Sequence, residues 1–261
     1  MLLRLGLVLS GLLVVPASQG ADLPTEDLAL KFRVYAFGLP TWFDATVEVN
    51  FDGPNVRMRS DLETWIVSNH HRSELVFSQC SYRPSGYTNR GFSPGWRFDD
   101  SLAYDWEAGV ARYQGELKRP NQDQPVHQAL EHPLQAPEIA GYYVDKLSQF
   151  FVMGCYFDDP ANTSPLLLNY LDDTVGRYRV RVVERGKKIR VDGRAYATIQ
   201  VESEPFEATP GSIHRRVNYW LVPELGYLPA LIKTKLRRLP LTVKLTDVDL
   251  NLDESAPGSL Q

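Results

Sequence analysis

Apolar and polar residues alternate along most of the chain. Apolar side chains occupy every second position in residues 28–34, and arginines separate them in residues 177–182. Successive side chains of a β-strand point to opposite faces, so this period is typical of half-buried antiparallel strands. Turn signals such as Asp52-Gly53 and Asp192-Gly193 separate the runs. The pattern predicts a mainly β fold, an antiparallel β-barrel or half-barrel of about ten strands.

The last alternating run changes phase. Its apolar residues fall on odd positions up to Leu245 and on even positions from Val248 onward. A strand that gains one extra residue shifts its side chains to the other face, which is what a β-bulge does. We therefore expect a bulge near Asp247.

Two segments depart from alternation. Leu147, Phe150 and Phe151 have helical spacing, and Asp145 stands where an N-cap is expected, so this segment predicts one helix packed over or into the sheet's concavity. Residues 114–141 are polar and contain four prolines. Prolines and polarity are typical of irregular structure, so this segment predicts a long loop.

The N-terminus has the pattern of a cleavable signal peptide. Arg4 precedes an apolar run from Leu5 to Val15, and small residues at 18 and 20 precede Ala21. The run is shorter than the roughly 20 apolar residues that span a bilayer. We expect residues 1–20 to be removed on export, leaving residues 21–261 as a single periplasmic domain without a transmembrane span.

Charge is distributed unevenly. Residues 21–174 carry 12 basic side chains against 22 acidic ones, a balance of −10, and residues 175–245 carry 15 against 6, a balance of +9. An exposed basic face on these strands would suit an envelope protein or an anionic glycan, whereas nucleic acid is not expected as a partner of an exported chain. The alternative is a solvated face that discourages strand aggregation. The candidate basic surface consists of Arg177, Arg179, Arg181, Lys188 and Arg190.

The chain has two cysteines, Cys80 and Cys155. An oxidising compartment would allow them to form a disulfide. Both lie among apolar residues, so buried free thiols are the alternative. Two thiols without metal-ligand spacing do not predict a zinc site, and we expect no metal and no cofactor.

Motifs of enzymatic chemistry are absent from the sequence. There is no Gly-x-Ser-x-Gly nucleophile elbow, no phosphate-binding glycine loop and no dinucleotide fingerprint. Neighbouring carboxylates such as Asp99 and Asp100 would point to opposite faces of a strand. His127, Glu131 and His132 on the predicted loop are candidates for a hydrolase that acts on envelope glycans. The sequence nevertheless favours a protein with no catalytic residues.

Aromatic residues supply the main candidate binding site. Large rings that line a β concavity are suited to an apolar or amphipathic ligand, although such rings are also ordinary core residues. The predicted ligand-binding residues are Trp42, Trp65, Tyr143, Phe150 and Phe151.

Four short motifs occur in a characteristic order: YRPSGY at residues 82–87, VDKLS at 144–148, the strand at 196–202, and WLVPE at 220–224 followed by Leu228-Pro229. Together they resemble the exported bacterial family known as domain of unknown function 3108, over about residues 28–245. The resemblance implies an exported, β-rich protein without an established activity.

The sequence as a whole predicts a non-catalytic periplasmic protein that binds or chaperones a hydrophobic or amphipathic component of the cell envelope. A first alternative is envelope assembly or polysaccharide docking through the basic strand face. A second is the glycan-acting hydrolase.

Overall fold

The computed structural model describes residues 26–78, 80–120, 124–136, 141–171, 174–206, 216–236 and 239–249. The predicted signal peptide, residues 1–20, lies outside the described residues. Within those ranges, no helix combines the length and the apolar character needed to span a bilayer.

Strands account for most of the described chain. They are β1 (Leu28–Ala36), β2 (Leu39–Asp52), β3 (Asn55–Glu63), β4 (Ser68–Ser78), β5 (Ser81–Ser93), β6 (Trp96–Asp105), β7 (Val110–Lys118), β8 (Val126–Pro133), β9 (Tyr142–Val144), β10 (Leu166–Leu171), β11 (Val175–Val191), β12 (Arg194–Pro205), β13 (Val217–Val222), β14 (Leu228–Leu236) and β15 (Leu239–Asp249). A single α-helix in the described ranges, α1, runs from Gln149 to Asp158.

All of these strands belong to one sheet. Its order is β8-β7-β6-β5-β4-β3-β2-β1-β15-β14-β13-β12-β11-β10-β9. The first strand of the chain, β1, therefore pairs with the last strand, β15, inside the sheet. Neighbours are antiparallel except β9 and β10, which are parallel. The sheet is open, with β8 and β9 at its two edges.

The sheet wraps around α1. Phe151 of the helix packs on Phe77 of β4, with ring centroids 5.2 Å apart, and Phe150 packs edge-on against Tyr219 of β13 at 5.5 Å. The alternating positions predicted to face inward, including Phe32 and Val180, are buried in this core. The prediction of a mainly β protein with one packed helix is therefore confirmed.

Two predictions about the fold were wrong. The described ranges contain fifteen strands rather than about ten, partly because β5 is polar and rich in small residues. The predicted loop at residues 114–141 contains strand: β7 continues to Lys118, and β8 pairs with it from Val126 to Pro133. As an edge strand, β8 is exposed on both faces, so its sequence is mostly polar and has no apolar period.

The predicted bulge is confirmed. Lys31 of β1 pairs with Asp247, and the next residue, Phe32, pairs with Leu245, so Thr246 is the extra residue of β15. This extra residue lets the apolar side chains before and after the bulge face the same side of the sheet, which explains the phase change in the sequence.

Candidate functional site

The start of the helix is held by a buried carboxylate. Asp145 accepts hydrogen bonds from the backbone N–H groups of Leu147 and Ser148, at 2.8 and 2.9 Å. Its second oxygen accepts from the hydroxyls of Ser148 and of Ser73 on β4, at 2.6 and 2.7 Å. Asp145 thus orders the turn that leads into α1. The prediction of Asp145 as the N-cap was wrong by three residues, because the N-cap of the helix is Ser148. Burial raises the pKa of this carboxyl, against the lowering effect of the four hydrogen bonds.

A disulfide joins the middle of the helix to the sheet. It links Cys80, between β4 and β5, to Cys155 of α1. Of the two alternatives left by the sequence, the structure has the bridged one.

The structure separates the five predicted ligand-binding residues. Phe150 and Phe151 belong to the main core beneath the sheet. Tyr143 belongs to a smaller cluster, where its ring lies 6.5 Å from that of Trp106. Trp42 and Trp65, in contrast, are 69% and 84% exposed. The five side chains therefore do not line one concavity.

Apolar side chains of the helix and of the sheet pack against one another in one core. A cavity of about 70 Å³ lies beside Asn89, Asp100 and Lys146. A water molecule occupies about 30 Å³ of liquid, so this space suits one or two waters rather than a lipid-like molecule. The buried Oδ1 of Asn89 has no protein partner among the described residues, which fits a bound water.

Exposed apolar side chains gather at one end of the sheet. In an antiparallel meander the turns alternate between two ends, so the turns that follow β1, β3, β5 and β7 share one end. The four most exposed large apolar side chains of the described chain lie at or near the turns after β1 and β3, and the turn after β5 adds Phe92 and Trp96, which are 37% and 42% exposed. We call this end the apolar rim, which consists of Phe37, Leu39, Trp42, Trp65, Phe92 and Trp96.

A groove opens at the apolar rim between the β3–β4 and β5–β6 turns. It has a volume of about 590 Å³, and its apolar lining comes mainly from Trp65, Ile66, Phe92 and Trp96. Gly95 shapes the β5–β6 turn: its backbone has φ +77°, and a Cβ there would come within 2.8 Å of Pro120. We call this feature the rim groove. It provides an open apolar surface, which the interior does not.

Sequence reasoning found Trp42 and Trp65 but missed Phe92 and Trp96. A tryptophan beside a Pro-Gly turn has no core to enter, because turns lie at the surface. Trp96 follows Pro94-Gly95, so its position at a turn was the available signal.

The predicted basic surface is partly neutralised by β12. Arg179 and Arg181 pair with Glu204 and Glu202 of β12, at 2.9 and 2.7 Å. Lys188 and Arg190 lie opposite Ala197 and Ala195 instead, and they alternate with Ile189 and Val191, which pack in the same core as Val180. Two register shifts in β11, after Val182 and after Arg185, separate the two basic pairs along the strand. Arg177 lies at the start of the same strand.

The histidines of β8 do not form a metal site with Glu131. His127 and His132 are five residues apart on a strand and point to opposite faces. Glu131 is bound by Arg112 at 3.1 Å. The described part of the chain contains no group of three or more residues suited to hold a metal ion.

Comparison with known proteins bears on the fold. A solved structure titled as a β-barrel-like protein of domain of unknown function DUF1849, from Brucella abortus, superposes with a TM-score of 0.53 and 11% identity. The superposition covers 88% of this chain and all of that one. The fold is β-barrel-like. At this identity the likeness shows the fold alone.

No family model matches the chain, and no curated protein matches it. The resemblance to the domain of unknown function 3108 family accordingly stays a prediction.

Proposed function

We propose that this chain is an exported, non-catalytic periplasmic protein that binds an amphipathic component of the cell envelope. We place the binding surface at the apolar rim instead of the interior. The observation that carries the proposal is the concentration of exposed rings at one end of the sheet, around the open rim groove. Contiguous apolar surface of this kind marks interaction sites with proteins, lipids or membranes.

The distribution of aromatic residues favours an amphipathic partner. Trp65 is 84% exposed, so its ring lies almost wholly in water, and Trp96 is 42% exposed, so its ring is partly in water. Indole rings have an apolar body and a polar N–H, and they are favoured at the boundary between lipid chains and headgroups. The filled interior supports the same placement, because Phe150 and Phe151 already occupy the space beneath the sheet.

Export to the periplasm rests on the signal-peptide pattern and on the resemblance described above. The Cys80–Cys155 bridge is consistent with it, because disulfides persist in oxidising compartments.

Flotation of the mature chain with phospholipid vesicles tests the proposal. The wild type should float with vesicles, and the Trp65→Ser/Trp96→Ser variant should bind at least about tenfold more weakly. Each ring that leaves water on an apolar surface contributes on the order of 1.5 kcal/mol.

The matched control is Val76→Ser/Val183→Ser. These valines are 40% and 52% exposed, and Val76 lies opposite Asn55, at the end of the sheet away from the rim. The control should float like the wild type. Failure of the wild type to bind vesicles, or equal loss in both variants, would refute the placement at the rim.

A further inference from the structure

Two cations face each other across strands beside the rim groove. Arg97 of β6 lies directly opposite Lys118 of β7. Both side chains are exposed and both line the groove. Neither forms an ion pair or hydrogen bond with another part of the described chain. Like charges directly opposite on neighbouring strands destabilise a sheet. A pair kept without a counter-charge at a groove therefore indicates an anionic ligand.

The nearest acids on this face have other partners. Asp99 lies two residues beyond Arg97 on β6 and binds Arg90 of β5 at 2.8 Å. Glu116 lies two residues before Lys118 on β7 and approaches His127 of β8 at 3.6 Å. Arg90 thus neutralises Asp99, whereas Glu116 leaves one negative charge against the two positive charges of Arg97 and Lys118, so the groove keeps a net positive charge.

Positive charge continues along the same face, away from the rim. There Arg59 of β3 lies directly opposite Arg72 of β4 in a cleft of about 750 Å³. Arg59 has an acidic partner in Asp61 at 2.5 Å, whereas Arg72 has none among the described residues. The order from the rim inward is thus apolar rings, then the Arg97–Lys118 pair, then the Asp99–Glu116 pair beside Arg90, and then Arg59 and Arg72 in a cleft that Asp61 and Glu74 also line. A bilayer surface has the matching order of acyl chains followed by phosphates.

We propose that the rim groove binds an anionic phospholipid of a bilayer surface, with the phosphate on Arg97 and Lys118 and the upper acyl chains against Trp65 and Trp96. This inference rests on the proposed function and names the chemical class of its ligand. The guanidinium and ammonium groups donate hydrogen bonds to phosphate oxygens. The tryptophan rings contact the adjacent acyl chains, so both apolar surfaces lose their contact with water.

Flotation with two kinds of vesicle provides the test. One kind contains phosphatidylglycerol, which is anionic, and the other contains only phosphatidylcholine, which is zwitterionic. The Arg97→Gln/Lys118→Gln variant should lose roughly thirtyfold in affinity for the anionic vesicles and little for the zwitterionic ones. Raising the salt concentration should weaken the wild type more than the variant.

The matched control is Lys188→Gln/Arg190→Gln, which removes the same charge from exposed residues of β11. It should keep wild-type affinity for both vesicles. Equal affinity of the wild type for the two vesicles, or equal loss in both charge variants, would overturn the phosphate site and leave the proposed function standing. If the wild type binds neither vesicle, the proposed function fails as well.

Inorganic phosphate separates a lipid from a free anion. At millimolar concentration it should displace little of the protein from anionic vesicles, because it supplies nothing for the rings to contact. Complete displacement by phosphate at that concentration would show a site for the free anion and would overturn the proposal.

Discussion

The ring of Tyr227 lies directly against the backbone of Gly154. A Cβ at Gly154 would come within 2.5 Å of that ring. Tyr227 is held there by the corner between β13 and β14: its N–H donates to the carbonyl of Val222 at 2.9 Å, and Gly226 before it is left-handed, with φ 64°. The tyrosine hydroxyl donates to Asp158 at the end of α1. This corner therefore positions one side chain that fastens the helix to the sheet.

Replacing Gly154 with alanine tests this contact. Glycine to alanine inside a helix normally stabilises a protein by roughly 0.5–1 kcal/mol. Here we expect Gly154→Ala to destabilise it by about 1–3 kcal/mol, because the new methyl group overlaps the Tyr227 ring. Urea denaturation would measure the change. In a Tyr227→Ala background the same substitution should be neutral or stabilising, and an unchanged penalty there would show that the ring is not the cause.

The Cys80–Cys155 bridge closes a long loop, with a sequence separation of 75 residues. Constraining a loop of this length in the unfolded chain stabilises a protein by about 4 kcal/mol on the chain-entropy account. We expect the Cys80→Ser/Cys155→Ser variant to lose about 3–4 kcal/mol of unfolding free energy. Reduction of the wild type should produce the same loss. Equal stability of the oxidised and reduced proteins would contradict this role.

His71 should make the fold sensitive to acid. Burial lowers the pKa of its imidazole to about 3, and the nearby charges of Lys146 and His70 act in the same direction while Asp61 opposes them. Nδ1 lies 2.6 Å from the Tyr87 hydroxyl. Between pH 6.5 and about 3 the unfolded chain binds a proton at this site that the folded chain does not, so stability falls as the pH falls.

The matching variant is His71→Gln. Between pH 7 and pH 4 the wild type should lose on the order of 2–3 kcal/mol more than the variant. Burial raises the pKa of Asp145, so this carboxyl makes the protein more stable as the pH falls. The wild type and the variant both contain Asp145, so its contribution cancels in the difference between them. His127→Gln, on the exposed edge strand, should behave like the wild type. Parallel pH profiles of wild type and His71→Gln would exclude His71 as the source.

Local alternation predicted the strands and even the bulge at Thr246, because one face of each strand must meet the core. It failed for β8, whose two faces are both exposed, so that its sequence has no apolar period. β8 forms a strand because it pairs with β7, and no residue pattern within β8 itself indicates a strand. Polarity and prolines alone therefore predicted a loop.

The site was harder to predict, since a ring in the core and a ring at the rim look alike in sequence. Phe150 and Phe151 have the spacing of a helix face, which is the commoner sign of a core. Trp65 and Trp96 lie at turns, and only the order of the strands brings their turns to the same end. The Arg97–Lys118 pair likewise depends on the register between β6 and β7.

The most direct test of binding at the apolar rim uses the five tryptophans as internal probes. Their indole N–H signals would be recorded by NMR with lipid nanodiscs that contain a spin-labelled lipid. Trp42, Trp65 and Trp96 should broaden, because they lie at the rim. Trp106, in the turn at the other end of the sheet, and Trp220, which is buried, should stay sharp. Broadening of Trp106 or Trp220 in place of the three rim signals, or no broadening of any, would contradict the account.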